Sequence, residues 1–451
     1  MMFMVAATSA TVFLDILLSY KHDDPLLGSF TYHFRATSNN LNRTEVAFVM
    51  LSNAGHTAYD YPLHAPESLF HANLSEPFNA PVYTLPLRFS ESSSLLTPAE
   101  RAEQNMETYL QDLHTVLTKA PHLRDTRKIV LIDTGTAGAV ATLYRQSIAP
   151  KQNPRVVAVV ADTPYLGREF DFDGFATLRD LLPGCADRIQ TVTRQIEASL
   201  AGDDTARAGL AARLNLCSVP DVSGKDTTAK GLFWYYYMGP IVRAMNDAFS
   251  SLVPGQRGGA GEICGRIRTG SELDDLAAVH QSLRTLPPTE CYKVAYTPEL
   301  FLGSFGMHTQ HELLRACYGE ATFPTHSEES LYASVFAPRG AISRTTFYNA
   351  CLLLAGPPYT TQHAWVIAQD HLKRYGDLNT FNVSNVFFVR SELDYKVAMA
   401  PHQYRPYAHG TSVNPFIGRR GAAFVKQHPI DTNEEIAIKK LIVKFIYDML
   451  M

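Results

Sequence analysis

Short apolar runs rich in β-branched and aromatic residues recur along the chain at 46–51, 81–85, 129–133, 156–161, 385–389 and 422–425. Runs of this length bounded by turn formers predict strands. Helical periodicity follows several of them, notably over 97–118 and 139–146. Strands alternating with helices predict a mostly parallel sheet covered by helices on both faces. The closing segment opens with Asp431-Thr432 as an N-cap and places Glu434-Glu435 in the first turn, where carboxylates oppose the helix dipole. It then runs as an amphipathic helix from Ile436 to Leu450.

Between about 165 and 380 the pattern changes. Helical periodicity dominates, as over 185–200 and 229–251, and a glycine-rich loop occupies 254–261. The expected organisation is therefore a leader or first element over 1–20, the first part of an α/β core over 21–165, a helical cap insertion over 166–380, and the second part of the core over 381–451. No internal repeat or low-complexity tract is visible.

Composition narrows the function classes. The 451 residues are 46% hydrophobic and 19% charged with a net charge of -4, an ordinary globular balance without the basic footprint of a nucleic-acid binder. No interior segment approaches the length of a transmembrane helix, so no membrane span is expected. Residues 3–18 are mostly apolar and read either as a short signal peptide or as a first strand or helix; they lack a basic n-region and carry Asp15. Sequons at Asn42, Asn73 and Asn382 are compatible with secretion. All six cysteines (Cys185, Cys217, Cys264, Cys291, Cys317, Cys351) fall within the insertion. They suit two or three disulfides in an oxidising compartment, with the pairing open, or else six buried thiols in a reducing one.

The most specific chemistry lies at Lys128-Ile129-Val130-Leu131-Ile132-Asp133-Thr134-Gly135-Thr136-Ala137-Gly138. An apolar strand running into a glycine turn and then a helix is the setting of a nucleophile elbow, G-x-S-x-G, at the top of an α/β-hydrolase sheet. Thr136 stands in the serine's place. In that fold the acid and the imidazole follow in the order Asp, then His, each after a strand. Asp394, after the strand at 385–389, and His428, after the strand at 422–425, fill that order. Two other groups compete less well. Ser304 in Gly303-Ser304-Phe305-Gly306 resembles an elbow but lies in the cap, downstream of Pro298 and Glu299. His308-Thr309-Gln310-His311-Glu312 beside Cys317 suggests zinc, but its order matches neither H-E-x-x-H nor H-x-x-E-H, so no metal or other cofactor is expected.

These segments, in order, resemble the prolyl carboxypeptidase and dipeptidyl peptidase II family of serine exopeptidases over nearly the whole chain. The family's G-G-S-Y-G-G elbow is similar to Thr134-Gly135-Thr136-Ala137-Gly138-Ala139, and its S-S-A-P turn to Ala161-Asp162-Thr163-Pro164. Its Y-T-G-N-E-G turn resembles Leu51-Ser52-Asn53-Ala54-Gly55, and its H-R-Y-Y-G-x-S loop resembles Leu87-Arg88-Phe89-Ser90-Glu91-Ser92. The N-G-x-L-D-P-W and A-H-H-L-D segments resemble Arg390-Ser391-Glu392-Leu393-Asp394-Tyr395-Lys396 and Gln427-His428-Pro429-Ile430-Asp431.

The resemblance implies an α/β-hydrolase core with a helical cap, in the secretory pathway, a lysosome or vacuole, or outside the cell. It also implies action on short, proline-containing peptides and a homodimer as the candidate assembly. Thr136 would attack, His428 would serve as base and then acid, Asp394 would orient His428, and the backbone N–H groups of Ala137 and Ala54 would form the oxyanion hole. The departures fall at the chemistry: Thr136 for Ser, Ala137 for the aromatic, Ala54 for Glu and Pro429 for the second His. The sequence therefore predicts a hydrolase with lost or strongly reduced activity, or a non-catalytic peptide-binding protein on the same scaffold.

Overall fold

A computed structural model describes residues 10–19, 21–23, 26, 28–38, 45–52, 74, 76–88, 105–162, 164, 183–218, 230, 233–234, 237–238, 240–241, 260–283, 290–292, 352, 373–375, 383–391, 413–418 and 433–451. Eight strands form one sheet: β1 (Ala10–Ser19), β2 (Ser29–Ser38), β3 (Val46–Ser52), β4 (Val82–Pro86), β5 (Lys128–Thr134), β6 (Val156–Asp162), β7 (Val386–Ser391) and β8 (Val413–Gly418). Their order across the sheet is β1-β2-β4-β3-β5-β6-β7-β8. From β3 to β8 all pairings are parallel, while β2 runs antiparallel to both β1 and β4.

The central strands are apolar at nearly every position because both of their faces are covered. On one face Val49, Leu51, Ile129, Leu131, Val159 and Ala161 pack with α1 (Met106–Lys119) and α2 (Gly135–Ser147). On the other, Phe48, Met50, Val130, Ile132 and Val160 pack with Ile438, Ile442, Phe445 and Ile446 of α8 (Asn433–Leu450). Odd and even positions of β5 thus serve opposite layers, as the two-residue period of a strand requires. Helix α1 starts where Asn105 accepts the Thr108 N–H at 3.0 Å, which satisfies one of the open donors of the first turn. A further short helix, α3 (Ala149–Gln152), leads into β6.

Among the described residues, α4 (Pro183–Leu200), α5 (Asp204–Arg213), α6 (Ala260–Arg266) and α7 (Glu272–Ser282) lie between β6 and β7 in the chain. The bridge Cys185–Cys264 ties α4 to α6, and Cys217–Cys291 closes a second, interleaved loop. Cys317 and Cys351 lie outside the described residues. Buried Tyr237 stacks on Phe233 and on His280 of α7, with the Tyr237 and His280 ring centroids 4.3 Å apart.

Several boundaries differ from those the sequence predicts. Helix α2 begins at Gly135, four residues before the predicted 139, because it follows β5 with no intervening loop. Segment 10–19, readable as leader or as first element, is the edge strand β1. Its partner β2 is absent from the continuous apolar runs, because Thr31, His33 and Arg35 alternate with the buried Tyr32, Phe34 and Ala36 of a half-exposed strand. The last described strand is 413–418, while the run at 422–425 lies outside the described residues. The strand order, the leading antiparallel pair and the helix-flanked parallel strands are those of an α/β-hydrolase core.

Candidate active site

All six parallel strands present their C-terminal ends on one edge of the sheet. From β3 the chain moves to β4 on one side, whereas β5, β6, β7 and β8 progress to the other. The winding therefore reverses at the border between β3 and β5. Open α/β sheets bind their ligands in the crevice that such a reversal leaves at the carboxyl ends.

The elbow segment sits at that crevice. Strand β5 ends at Thr134 and α2 starts at Gly135, which puts the backbone of Thr136 in the first helical turn. Two small residues permit so abrupt a turn. Ala137 is fully buried, and a Cβ added at Gly138 would stand 3.2 Å from the carbonyl oxygen of Asp133 and 3.6 Å from Cβ of Pro164. A side chain at 138 would force the Asp133 carbonyl or the start of α2 to give by a few tenths of an ångström. One turn on, the buried Thr142 hydroxyl donates to the Gly138 carbonyl at 2.7 Å. The N–H groups of the first turn of α2 have no partner within the helix, and the helix dipole makes this end attractive to a developing negative charge.

Two buried carboxylates flank the turn. Asp133, 5% exposed, accepts the backbone N–H of Leu51 from β3. Asp162, the last residue of β6, is fully buried and lies opposite Thr134 in the β5–β6 ladder. Their signal in the sequence is a single acidic residue terminating an otherwise apolar run.

The same edge carries a buried ion-pair network, farther toward β1. Arg88, two residues past β4, donates from Nε and Nη2 to the two carboxylate oxygens of Asp112 in α1 at 2.7 and 2.6 Å. Its Nη2 also donates to the Ser19 carbonyl at 2.8 Å, and the guanidinium lies 5.1 Å from the centre of the Phe30 ring. His22 Nε2 meets the same carboxylate at 2.7 Å. Neither Asp112 nor His22 is marked by any sequence motif; the fold alone brings them to Arg88.

A second network lies at the opposite edge and supports the scaffold. Arg155 donates from Nη1 to the carbonyls of Leu123, Arg124 and Thr126 at 2.8, 2.6 and 3.1 Å, and from Nη2 to that of Leu117 at 2.8 Å. Asn153 connects it to Tyr144, whose hydroxyl is 3.1 Å from His114 Nδ1. Burial, with the charges of Lys119 and Arg155, lowers the His114 pKa, and burial pushes the Tyr144 phenol up to about 12.

Of the residues predicted to form the site, the backbone of Thr136 and the whole of Ala137 are placed at the turn. Ala54, Asp394 and His428 lie outside the described residues, as do Ser304, His308 and His311. In sequence, Asp394 falls three residues beyond the end of β7, and His428 falls between β8 and α8. Among the described residues no group of three or more His, Cys, Asp or Glu is placed to hold a metal ion. Nor is any described helix long and apolar enough to cross a membrane.

No protein-family model matches the chain, and no curated protein matches it. Among solved structures, an α/β-hydrolase-fold protein of unknown function is 12% identical, covering 43% of this chain and 57% of its own, with a TM-score of 0.21. A fungal esterase from Rhizomucor miehei is 13% identical over 38% of this chain and 50% of its own, with a TM-score of 0.23. The chain thus spans about half the length of these two structures. A thermostable carboxyl esterase from Bacillus coagulans is 10% identical, with 97% of this chain and 99% of its own covered and a TM-score of 0.30. Because every one of these scores lies below 0.5, the fold assignment rests on the strand order and the β5–α2 turn.

Proposed function

We propose that this chain is a divergent α/β-hydrolase of the serine-exopeptidase type, acting on or binding short, proline-containing peptides, whose turnover is absent or very weak. The observation that carries the reading is the passage of β5 into α2 with Gly135 alone between Thr134 and Thr136, and Gly138 tight against Asp133. In this reading that turn presents the residue at 136 above the switch-point crevice. Asp394 and His428 complete the triad in this reading, and the N–H groups of Ala137 and Ala54 face the oxyanion.

A threonine hydroxyl can attack a carbonyl, since threonine serves as a nucleophile elsewhere. Its difficulty at an elbow is steric: the extra methyl restricts χ1 and claims space needed by the imidazole or the substrate carbonyl. Misplacing an attacking oxygen by about 1 Å costs on the order of a hundredfold in rate. The helices between β6 and β7 form the cap in this reading, and the two bridges among them suit a secretory, lysosomal or extracellular setting.

The test is labelling of the purified chain by a fluorophosphonate probe, with turnover of proline-containing dipeptidyl and carboxypeptidase substrates alongside. Weak labelling that strengthens in Thr136→Ser and vanishes in Thr136→Ala is expected. Rapid turnover by the wild-type chain would contradict the impairment, and labelling that persists in Thr136→Ala would move the nucleophile elsewhere. Thr136 itself favours a second reading, a peptide-binding protein that keeps the cleft without the chemistry. Saturable binding of a proline-containing peptide, with Thr136→Ser still unlabelled, distinguishes it.

A further inference from the structure

The β3–β5 ladder stops before either strand does. Their register runs from Val46↔Lys128 to Val49↔Leu131 and goes no further. Beyond that point β3 stays paired with β4 through Ser52↔Pro86, and β5 stays paired with β6 through Thr134↔Asp162. The two halves of the sheet therefore part over the last three residues of each strand, at the border where the winding reverses. The opening would leave the Leu51 N–H facing a gap in a water-poor interior, where an unmade hydrogen bond is costly. It is taken up instead by the side chain of Asp133, which reaches across from β5.

We infer that Asp133 is a positioning residue of the active site, a clasp that sets the width of the crevice between β3 and β5; this rests on the reading of Thr136 as the nucleophile position. Asp133 occupies β5 three residues before Thr136, and its own carbonyl bears on Gly138 at the start of α2. On the other side it holds Leu51, three residues before Ala54 in sequence. One side chain thus links the strand that leads to the attacking group with the strand that leads to an oxyanion donor. A backbone ladder could not do this, because closing the ladder to the strand ends would close the crevice itself. A carboxylate reaches from β5 to β3 past the end of their ladder. The carboxylate oxygen supplies the acceptor that the Leu51 N–H requires.

The test uses the full chain with Asp133→Leu, which is similar in size and has no acceptor, Asp133→Ala, which cannot overpack, and Asp133→Asn, whose amide oxygen still accepts. Each is made with Thr136 intact and with Thr136→Ser. Hydrogen exchange at Leu51 and Ser52 should accelerate about tenfold in D133L and D133A, with the β6 amides unchanged, and return toward wild type in D133N. In the Thr136→Ser background, fluorophosphonate labelling should slow by about tenfold in D133L and D133A and recover in D133N. If D133L fails to fold, D133A carries the comparison. Unchanged exchange would overturn the clasp. Faster exchange with undiminished labelling would reduce Asp133 to a purely structural residue and overturn the positioning role. Absence of labelling in Thr136→Ser with Asp133 intact would remove the nucleophile assignment, and the positioning role with it, whatever the exchange data show.

Discussion

Replacing Arg88 by Met should destabilise the fold more than any single change at an exposed charge. The Arg88 side chain is 0% exposed and that of Asp112 is 9% exposed, so neither charge is well hydrated once the other is gone. Two short charge-assisted bonds to Asp112, one bond to the Ser19 carbonyl and the stacking on Phe30 disappear together. Breaking a buried pair by removing one partner costs about 3–5 kcal/mol, most of it the penalty of the stranded charge. His22, 2.7 Å from the same carboxylate, offers Asp112 a remaining partner, which puts the expected loss near the lower end, about 3 kcal/mol. The double variant R88M/D112L removes the stranded charge as well and should fall within about 1–2 kcal/mol of wild type, because apolar replacement of a whole buried pair is often close to neutral. Urea unfolding followed by circular dichroism on wild type, both single variants and the double variant gives the cycle. A loss in R88M of no more than about 1 kcal/mol, the range of an exposed pair, would refute the reasoning. So would a double variant as unstable as the sum of the singles.

Other consequences follow from the same chemistry. Arg155→Ala removes the donor to four main-chain carbonyls around the end of α1 and should cost about 2–4 kcal/mol by urea unfolding; a loss under about 1 kcal/mol would contradict it. His114 has its pKa lowered from 6.5 by burial first and by Lys119 and Arg155 next, so the unfolded chain binds more protons than the native one between the lowered value and 6.5. Its contribution is therefore present above pH 6.5 and is lost as pH falls through that window; His114→Gln should flatten the slope of melting temperature against pH there, and an unchanged slope would count against it. The bridges Cys185–Cys264 and Cys217–Cys291 close separations of 79 and 74 residues, for which chain entropy gives a ceiling of about 4.5 kcal/mol each. Adding reductant should lower the unfolding midpoint of the wild-type chain and leave that of a variant with all six cysteines replaced by Ser unmoved; equal midpoints in wild type with and without reductant would contradict the bridges.

Local pattern was enough for much of the scaffold. The strands at 46–52, 82–86, 128–134, 156–162 and 386–391 lie within a residue or two of the apolar runs, because strands buried on both faces have to be apolar throughout. The helices at 106–119, 183–200 and 433–450 overlap the periodic stretches expected at 97–118, 185–200 and 436–450, because a helical period is a signal among neighbouring residues; 97–104 and 431–432 lie outside the described residues. The elbow was legible as well, since a strand, a glycine and a buried small-residue helix occur in direct succession.

What the sequence by itself determined is thus the identity of the central elements, β3 to β7 with α1, α2 and α8, and the residue that occupies the turn: Thr136, whose added methyl is a covalent fact independent of folding. Only the tertiary structure decided which strands adjoin, and with that the reversal of winding between β3 and β5 that locates the crevice. It also selected two pairings among the cysteines, joined Arg88 to Asp112 and His22, and sent the Asp133 carboxylate across to Leu51. Those partners lie 74 to 90 residues apart for the bridges, for Asp133 with Leu51 and for His22 with Asp112. No periodicity spans such distances. Asp133 and Leu51 meet because the strand order sets β5 beside β3, whereas the cysteines meet within the helical segment between β6 and β7.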